Sequence, residues 1–199
     1  MEKILILDIE TTGFLNQGGS IVEIGIVDLD LDTGEINEVF NSCLREDILS
    51  AKHREEPFGW IFKNSDLTIE EVREAPIAFE VLAVVQGILN TYSLGCTAYN
   101  NTFDFGFLED RGLKIKKLPC PMKLAAPVCK IPKKRRSKSP TIKGFKSPNV
   151  EEAFHFFYPE INYVEKHRGL DDAKHEAMIV YKLYQMGVFK LPELQKELF

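Results

Sequence analysis

The chain has 199 residues, the usual size of one domain, and contains 44% hydrophobic and 28% charged residues, which is typical of soluble globular proteins. This composition excludes a collagen-like, coiled-coil or wholly disordered chain. The formal net charge is −5, yet residues 130–146 contain eight lysines and arginines and no acid. Such a segment fits either a polyanionic partner or a solvated loop.

The length of the apolar runs and the spacing of the cysteines indicate the cellular compartment. No apolar run approaches the ~20 residues of a membrane span, and the first residues lead into a strand rather than a signal peptide. The four cysteines form no CxxC pair, which argues against a zinc knuckle or a disulfide framework. We therefore expect a cytoplasmic protein that does not associate with membranes.

Three β-like segments open the chain, at residues 3–9, 20–30 and 34–44. The first is nearly all apolar and β-branched, as expected of a strand buried on both faces at the centre of a sheet. The second and third are separated by Asp32 and Gly34, which favour a turn. These segments predict an antiparallel meander of three strands.

Helical patterns follow from residue 68 onward. Thr68 and Glu71 have the spacing of a capping box, and Asn149 can cap a later helix. The predicted helices cover residues 76–90, 102–111, 149–158 and 170–186, with a short one at about 192–199.

The order of the elements predicts the fold class. Three strands are followed by helices that alternate with a further strand at residues 94–99, which predicts an α/β protein with a mixed sheet and helices packed on it. We expect a single domain over residues 1–199, with a basic loop at about residues 130–148.

Asp8 and Glu10 form an acidic pair at the end of the first strand. Side chains alternate along a strand, so both carboxylates lie on one face. Two like charges side by side are destabilising unless a cation or a proton lies between them. A hard divalent metal would fill that place, whereas the simpler alternative is a strand end that runs into water.

Two further acidic positions lie at helix starts. Asp104 is in the first turn of the helix that follows the strand at residues 94–99, where the helix dipole alone can explain it. His167 precedes Asp172 by five residues, and this pair can also be explained as a capped helix with an exposed histidine. Each position is therefore a weak signal by itself.

Three segments resemble the exonuclease motifs of the DEDDh family. They are DIETTG at residues 8–13, YNNTFDFGFL at residues 99–108 and HRGLDDA at residues 167–173. The family includes the proofreading subunit of the bacterial replicative polymerase, RNase T and oligoribonuclease. The resemblance implies a ribonuclease H-like fold, in which helices flank a mixed five-stranded sheet of three antiparallel strands followed by parallel strands.

The same resemblance implies an active site. Asp8, Glu10, Asp104 and Asp172 would ligate two divalent cations, Mg²⁺ or Mn²⁺, and His167 would act as the general base. Two cations ~3.5–4 Å apart can lower the pKa of a bound water and neutralise the departing 3′ oxygen. A neutral imidazole can accept the proton of that water near pH 7.

Other residues would contact the nucleic acid. The resemblance implies that backbone groups of Thr11 and Thr12 meet the 3′-terminal nucleotide. Phe14 would stack on its base or fold onto the core, and Asn100 would fix the loop before Asp104 or cap a helix. The basic residues expected to contact the phosphate backbone are Lys133, Lys134, Arg135 and Arg136.

Some positions depart from the family pattern or lie outside it. Tyr99 stands where the second motif often has histidine, and Gly169 where alanine is common. Trp60, near Phe58, fits either a nucleobase platform or packing. Residues 195–199 partly resemble a peptide that docks on a sliding clamp, but an ordinary terminal helix explains their leucine spacing better.

These observations predict a metal-dependent 3′–5′ exonuclease that acts on single-stranded ends and releases nucleoside 5′-monophosphates, with a polymerase or sliding clamp as a further partner. DNA is favoured over RNA because a chain without a polymerase domain fits a separate proofreading or repair nuclease. An exoribonuclease of the same family is the alternative. From other classes, we keep a non-catalytic nucleic-acid or replisome adaptor and a phosphatase in which Asp8 is the nucleophile.

Overall fold

The central strand of the sheet is β1 (Lys3–Thr11), which pairs with a different strand on each side. The computed structural model describes residues 2–46, 59–133 and 144–192. Strand β2 (Ile21–Asp30) runs antiparallel to β1, and β3 (Ile36–Cys43) runs antiparallel to β2. Strand β4 (Cys96–Thr97) lies on the other side of β1 and runs parallel to it. The predicted meander and mixed sheet are therefore confirmed.

The sheet has four strands within the described residues, in the order β3-β2-β1-β4, so the expectation of five strands is wrong. The segment beside β4 makes a single parallel bridge, between Cys96 and Lys117. Its two hydrogen bonds run from Cys96 N–H to the Lys116 carbonyl and from Leu118 N–H to the Cys96 carbonyl, at 2.9 and 2.8 Å. The next bond of such a ladder would join Ala98 N–H to the Leu118 carbonyl. The Asn101 side chain bonds both of these groups instead, at 3.0 and 2.8 Å, which ends the pairing before a fifth strand forms.

Seven helices surround the sheet in the described part of the chain. The predicted capping box at Thr68 and Glu71 is confirmed, and the predicted cap Asn149 forms a capping box with Glu152. None of these helices has the length and apolar character of a membrane span. The helices are α1 (Trp60–Asn64), α2 (Ile69–Glu74), α3 (Ala78–Thr91), α4 (Asn101–Asp110), α5 (Pro121–Cys129), α6 (Val150–Phe157) and α7 (Gly169–Gln185).

Each face of β1 is covered by a separate hydrophobic core. Ile4 and Ile6 pack with residues of α6 and α7 on one face. Leu5 and Leu7 pack with residues of α3 and α4 on the other. The alternation along β1 buries both faces, as the apolar run predicts.

The first turn of α7 lies directly against the sheet. A Cβ added to Gly25 would lie 2.1 Å from the carbonyl carbon of Gly169 and the nitrogen of Leu170, so only glycine fits there. Gly25 pairs with Asp8 in the β1–β2 register. This close approach brings the start of α7, with Asp172, to the acidic end of β1.

Several predicted features lie outside the described residues. They are the basic residues Lys134, Arg135 and Arg136, Phe58, most of the terminal helix at about residues 192–199, and the clamp-like peptide at residues 195–199.

Candidate active site

The carboxyl end of β1 forms one wall of a cavity of about 510 Å³. The other walls come from the loop after β1 and from α1, α4, α6 and α7, so segments far apart in sequence meet there. The lining residues are Asp8, Ile9, Glu10, Thr11, Thr12, Gly13, Phe14, Trp60, Tyr99, Asn100, Phe103, Asp104, Val150, Glu165, His167 and Glu176.

Asp8 and Glu10 both line this cavity, as their spacing on β1 predicts. Asp8 is half-buried and Glu10 is buried. Burial raises the pKa of both carboxyl groups well above the usual range. Repulsion from Glu176 raises the pKa of Asp8 further, and repulsion from Asp172 does the same for Glu10.

Asp104 lies in the first turn of α4 and is 3% exposed. Burial raises its pKa to about 7, although backbone hydrogen bonds at Asp104 and Ile9 oppose the rise. The side chain of Asn101 fixes the loop before this turn, because its Oδ1 accepts from Ala98 N–H at 3.0 Å and its Nδ2 donates to the Leu118 carbonyl at 2.8 Å. The helix start is thereby held against β4.

Asp172 is 1% exposed and both of its oxygens accept hydrogen bonds. The Tyr163 hydroxyl donates to Oδ1 and the Arg168 backbone N–H donates to Oδ2, each at 3.0 Å. Burial raises the pKa of Asp172, while these two hydrogen bonds oppose the rise. One ligand atom each of Glu10, His167 and Asp172 lies within 4.8 Å of the others, so β1 and the start of α7 present a common set of donors.

His167 has a left-handed backbone, with φ of 55°, a conformation that costs free energy in a residue with a Cβ. Contacts on both sides hold it there. The Arg168 guanidinium binds the buried carboxylate of Glu23 at 2.8 Å and Asp66 at 2.7 Å. The ring of Trp60 packs edge-to-face against the imidazole, with 4.8 Å between the ring centroids.

Two acidic residues outside the predicted site also line the cavity. Glu165 Oε1 lies 3.9 Å from Nδ1 of His167, and burial raises the pKa of Glu165 to about 7. Glu176 is 3% exposed, and its Oε2 accepts from the Tyr99 N–H at 3.1 Å. For Glu176 the available signal was its spacing, since residues four apart share a helix face and Glu176 follows Asp172 by four. Glu165 lies before α7, outside any helix, so no such spacing marks it.

The residues predicted to meet the terminal nucleotide also line the cavity. The Thr11 hydroxyl donates to the Gly13 carbonyl at 2.9 Å, and the Thr12 hydroxyl accepts from the Ser20 N–H at 2.9 Å. Phe14 is 59% exposed and so does not fold into the core. Asn100 precedes α4 without a capping hydrogen bond from its side chain, which excludes the simple capping role.

Three further positions singled out in the sequence have other surroundings. Lys133 is exposed and is not among the lining residues. Tyr99, at the position that often holds histidine, is buried, and its hydroxyl donates to the Pro148 carbonyl at 3.1 Å. A Cβ on Gly169 would lie 2.8 Å from the nitrogen of Gly25, which explains why this position lacks the alanine common in the family.

The charge of the cavity is strongly negative. No lysine or arginine of the described ranges lines it, and the nearby Arg168 is already paired with Glu23 and Asp66. Hard divalent cations prefer carboxylate oxygens, so this donor set fits them. The carboxylates at or beside the cavity are Asp8, Glu10, Asp104, Glu165, Asp172 and Glu176.

Comparison with known proteins gives a partial sequence relative and several similar structures. DNA polymerase III PolC-type of Caldanaerobacter subterraneus subsp. tengcongensis is 26% identical over 200 residues. The match covers 98% of this chain but only 13% of that relative's length.

The solved structures share the fold at lower identity. The nuclease domain of 3′hExo, a DEDDh family member bound to rAMP, has a TM-score of 0.66 at 20% identity, with 96% of each chain covered. Escherichia coli Exonuclease I in complex with a dT13 oligonucleotide has a TM-score of 0.63 at 13% identity, covering 92% of this chain and 41% of that one. These neighbours show the ribonuclease H-like exonuclease fold.

A family model settles the family. The RNase T model, described as Exonuclease, matches residues 5–180, a range that contains all three motifs and most of the chain. The protein therefore belongs to the DEDDh-type 3′–5′ exonuclease family.

Proposed function

We propose that this protein is a metal-dependent 3′–5′ exonuclease that hydrolyses the terminal phosphodiester bond of single-stranded nucleic acid and releases nucleoside 5′-monophosphates. The observation that carries the proposal is the meeting of Glu10, His167 and Asp172 donor atoms within 4.8 Å, beside the buried carboxylate of Asp104. The complete set of reactive residue types argues against the non-catalytic adaptor. The phosphatase alternative leaves His167 and Asp172 without a role.

Asp8, Glu10, Asp104 and Asp172 would hold two divalent cations, Mg²⁺ or Mn²⁺. The fit follows from the donors themselves, because these carboxylates lie close together and no lysine or arginine of the described residues lines the cavity to balance their charge. When bound, such ions lower the pKa of a water and neutralise charge that develops on the leaving 3′ oxygen.

His167 would accept the proton of the attacking water. Its Nδ1 faces Glu165 at 3.9 Å, which leaves Nε2 for the proton transfer. The contact with Trp60 limits rotation of the imidazole, so the base is oriented before substrate arrives.

Aromatic side chains at the cavity would bind the terminal bases. Phe14 and Trp60 are 59% and 43% exposed, and both line the cavity. Stacking on such rings is worth ~1–3 kcal/mol per base and tolerates any base, as an exonuclease requires. Backbone groups of Thr11 and Thr12, on the same wall, would contact the 3′ end.

DNA is the substrate we favour, since the partial relative is a DNA polymerase by name and a structural neighbour holds a dT13 oligonucleotide. RNA is the second candidate, because the 3′hExo nuclease domain, similar over nearly its whole length, holds rAMP. We further propose that Lys133, Lys134, Arg135 and Arg136 contact the phosphate backbone. Association with a polymerase or a sliding clamp is part of the same hypothesis.

The test uses matched DNA and RNA oligomers of one sequence, labelled at either end, with Mg²⁺ or Mn²⁺. We expect a 3′-labelled strand to release labelled mononucleotide at once and a 5′-labelled strand to shorten stepwise. EDTA should stop both reactions. Intact oligomers in every metal-containing reaction would refute the nuclease, and the faster of the two polymers identifies the preferred substrate.

A further inference from the structure

Glu176 is a buried carboxylate at the cavity that none of the three motifs includes. It lies on α7, one turn after Asp172, and the spacing of four residues places the two side chains on one helix face. Glu176 is 3% exposed and lines the cavity together with Asp8 and Asp104. Its position is therefore set by the same helix that positions Asp172.

One oxygen of Glu176 is fixed and the other is available. Oε2 accepts the Tyr99 N–H at 3.1 Å, whereas no donor among the described residues bonds to Oε1. A glutamine would accept the same N–H without placing an ionisable group in the interior. The hydrogen bond to Tyr99 therefore does not explain why this position has a charged side chain.

The charges nearest to Glu176 are negative. Among charged neighbours, Glu176 raises the pKa of Asp8 most. Asp104 in turn is the charged neighbour that raises the pKa of Glu176 most. Burying a further carboxylate among others costs free energy unless a cation compensates it. No lysine or arginine of the described ranges lines the cavity, so the charge must be compensated by a bound cation or by a proton.

We propose that Glu176 is a fifth carboxylate of the metal site and strengthens the binding of the divalent cation held by Asp8 and Asp104. This inference rests on the proposed metal dependence and adds a residue to it. Glu176 acts through the charge of its carboxylate, with Oε1 toward the cavity and Oε2 on the Tyr99 backbone.

The test is a Mn²⁺ titration of the full chain, followed by the loss of the free-ion EPR signal. Glu176→Gln keeps the acceptor for the Tyr99 N–H but removes the charge, and we expect it to weaken Mn²⁺ binding by about tenfold or more. Glu176→Asp keeps the charge and should bind more tightly than the glutamine variant. Asp171→Asn is the matched control, because it removes a charge from α7 at a residue that does not line the cavity.

Four outcomes would count against this inference, the proposed function or both. Equal Mn²⁺ affinity in the wild type and Glu176→Gln would overturn the inference and leave Glu176 as a backbone acceptor only. Equally weak binding by the aspartate and glutamine variants would also overturn it, because charge would then not be the cause. A wild type that binds Mn²⁺ but cleaves no oligomer would refute the nuclease alone, whereas a wild type that binds no Mn²⁺ would refute both.

Discussion

At the residue scale, Asp8 and His167 contribute differently to the proposed reaction, and single substitutions separate them. Asp8→Ala removes a metal ligand and should abolish hydrolysis together with tight Mn²⁺ binding. His167→Ala should bind Mn²⁺ nearly as the wild type does but slow turnover by roughly 10²–10⁴, the contribution of general-base catalysis. Single-turnover release of mononucleotide and Mn²⁺ titration measure the two effects, with Asp171→Asn as the control. Full activity in either alanine variant would contradict its assigned role.

The three motifs identify some of the acidic residues at the cavity but not all of them. The motifs select Glu10, Asp104 and Asp172, and the structure brings all three to one place. Glu165 and Glu176 lie outside those positions and are identified only when the cavity is seen. The spacing of four residues from Asp172 places Glu176 on the same helix face. An acid at that spacing is also typical of a solvated helix face, so the sequence alone does not distinguish a site residue from a surface residue.

At the scale of elements, the start of α7 is held by the ion pairs of Arg168, which adjoins the left-handed His167. Arg168→Gln leaves the buried carboxylate of Glu23 without its cation and should lower the free energy of unfolding by ~3 kcal/mol. It should also lower kcat more than it raises KM, because the imidazole is no longer held in place. Asp66→Asn breaks only an exposed pair and should change stability by less than ~0.5 kcal/mol.

Chemical denaturation and steady-state kinetics measure these effects in parallel. The double variant Arg168→Gln/Glu23→Gln removes the stranded charge, so it should recover part of the lost stability but not the lost kcat. If Arg168→Gln were as stable and as active as Asp66→Asn, the ion pair with Glu23 would not position the histidine.

Elements with a local chemical signal were predictable, and elements that depend on a neighbour were not. The capping box at Thr68 and the helix cap at Asn149 are confirmed, because in each case both partners lie within one turn. The fifth strand does not form beyond the single bridge between Cys96 and Lys117, because the Asn101 side chain bonds the backbone groups that the next pair would use. The close contact of Gly25 with Gly169 is likewise a property of tertiary packing that no local pattern reports.

At the scale of the whole molecule, the acidic cavity must receive a polyanion. The net charge of −5 and the clustered carboxylates repel nucleic acid, so in the proposed reaction bound metal would favour substrate binding. The same repulsion opposes folding when no metal is present. Metal, proton and substrate are therefore linked through one set of carboxyl groups.

This linkage predicts how stability depends on pH. The native pKa of Asp104 is raised to about 7, so the native protein binds more protons than the unfolded chain above about pH 4. Stability in EDTA should therefore fall as the pH rises from about 4 to 7. Glu165, with a native pKa also raised to about 7, contributes with the same sign.

Asp104→Asn tests the linkage because it removes the charge and keeps the shape. In EDTA at pH 8 its Tm should exceed that of the wild type, by ~2–4 °C for each kcal/mol gained, while at pH 4 the two should agree. Saturating Mn²⁺ should reverse the order, since only the wild type retains the ligand. Differential scanning calorimetry at both pH values, with Asp171→Asn alongside, measures this. An Asp104→Asn variant that melts below the wild type in EDTA at pH 8 would show that the carboxylates do not oppose folding, and the electrostatic argument for a bound cation would lose its basis.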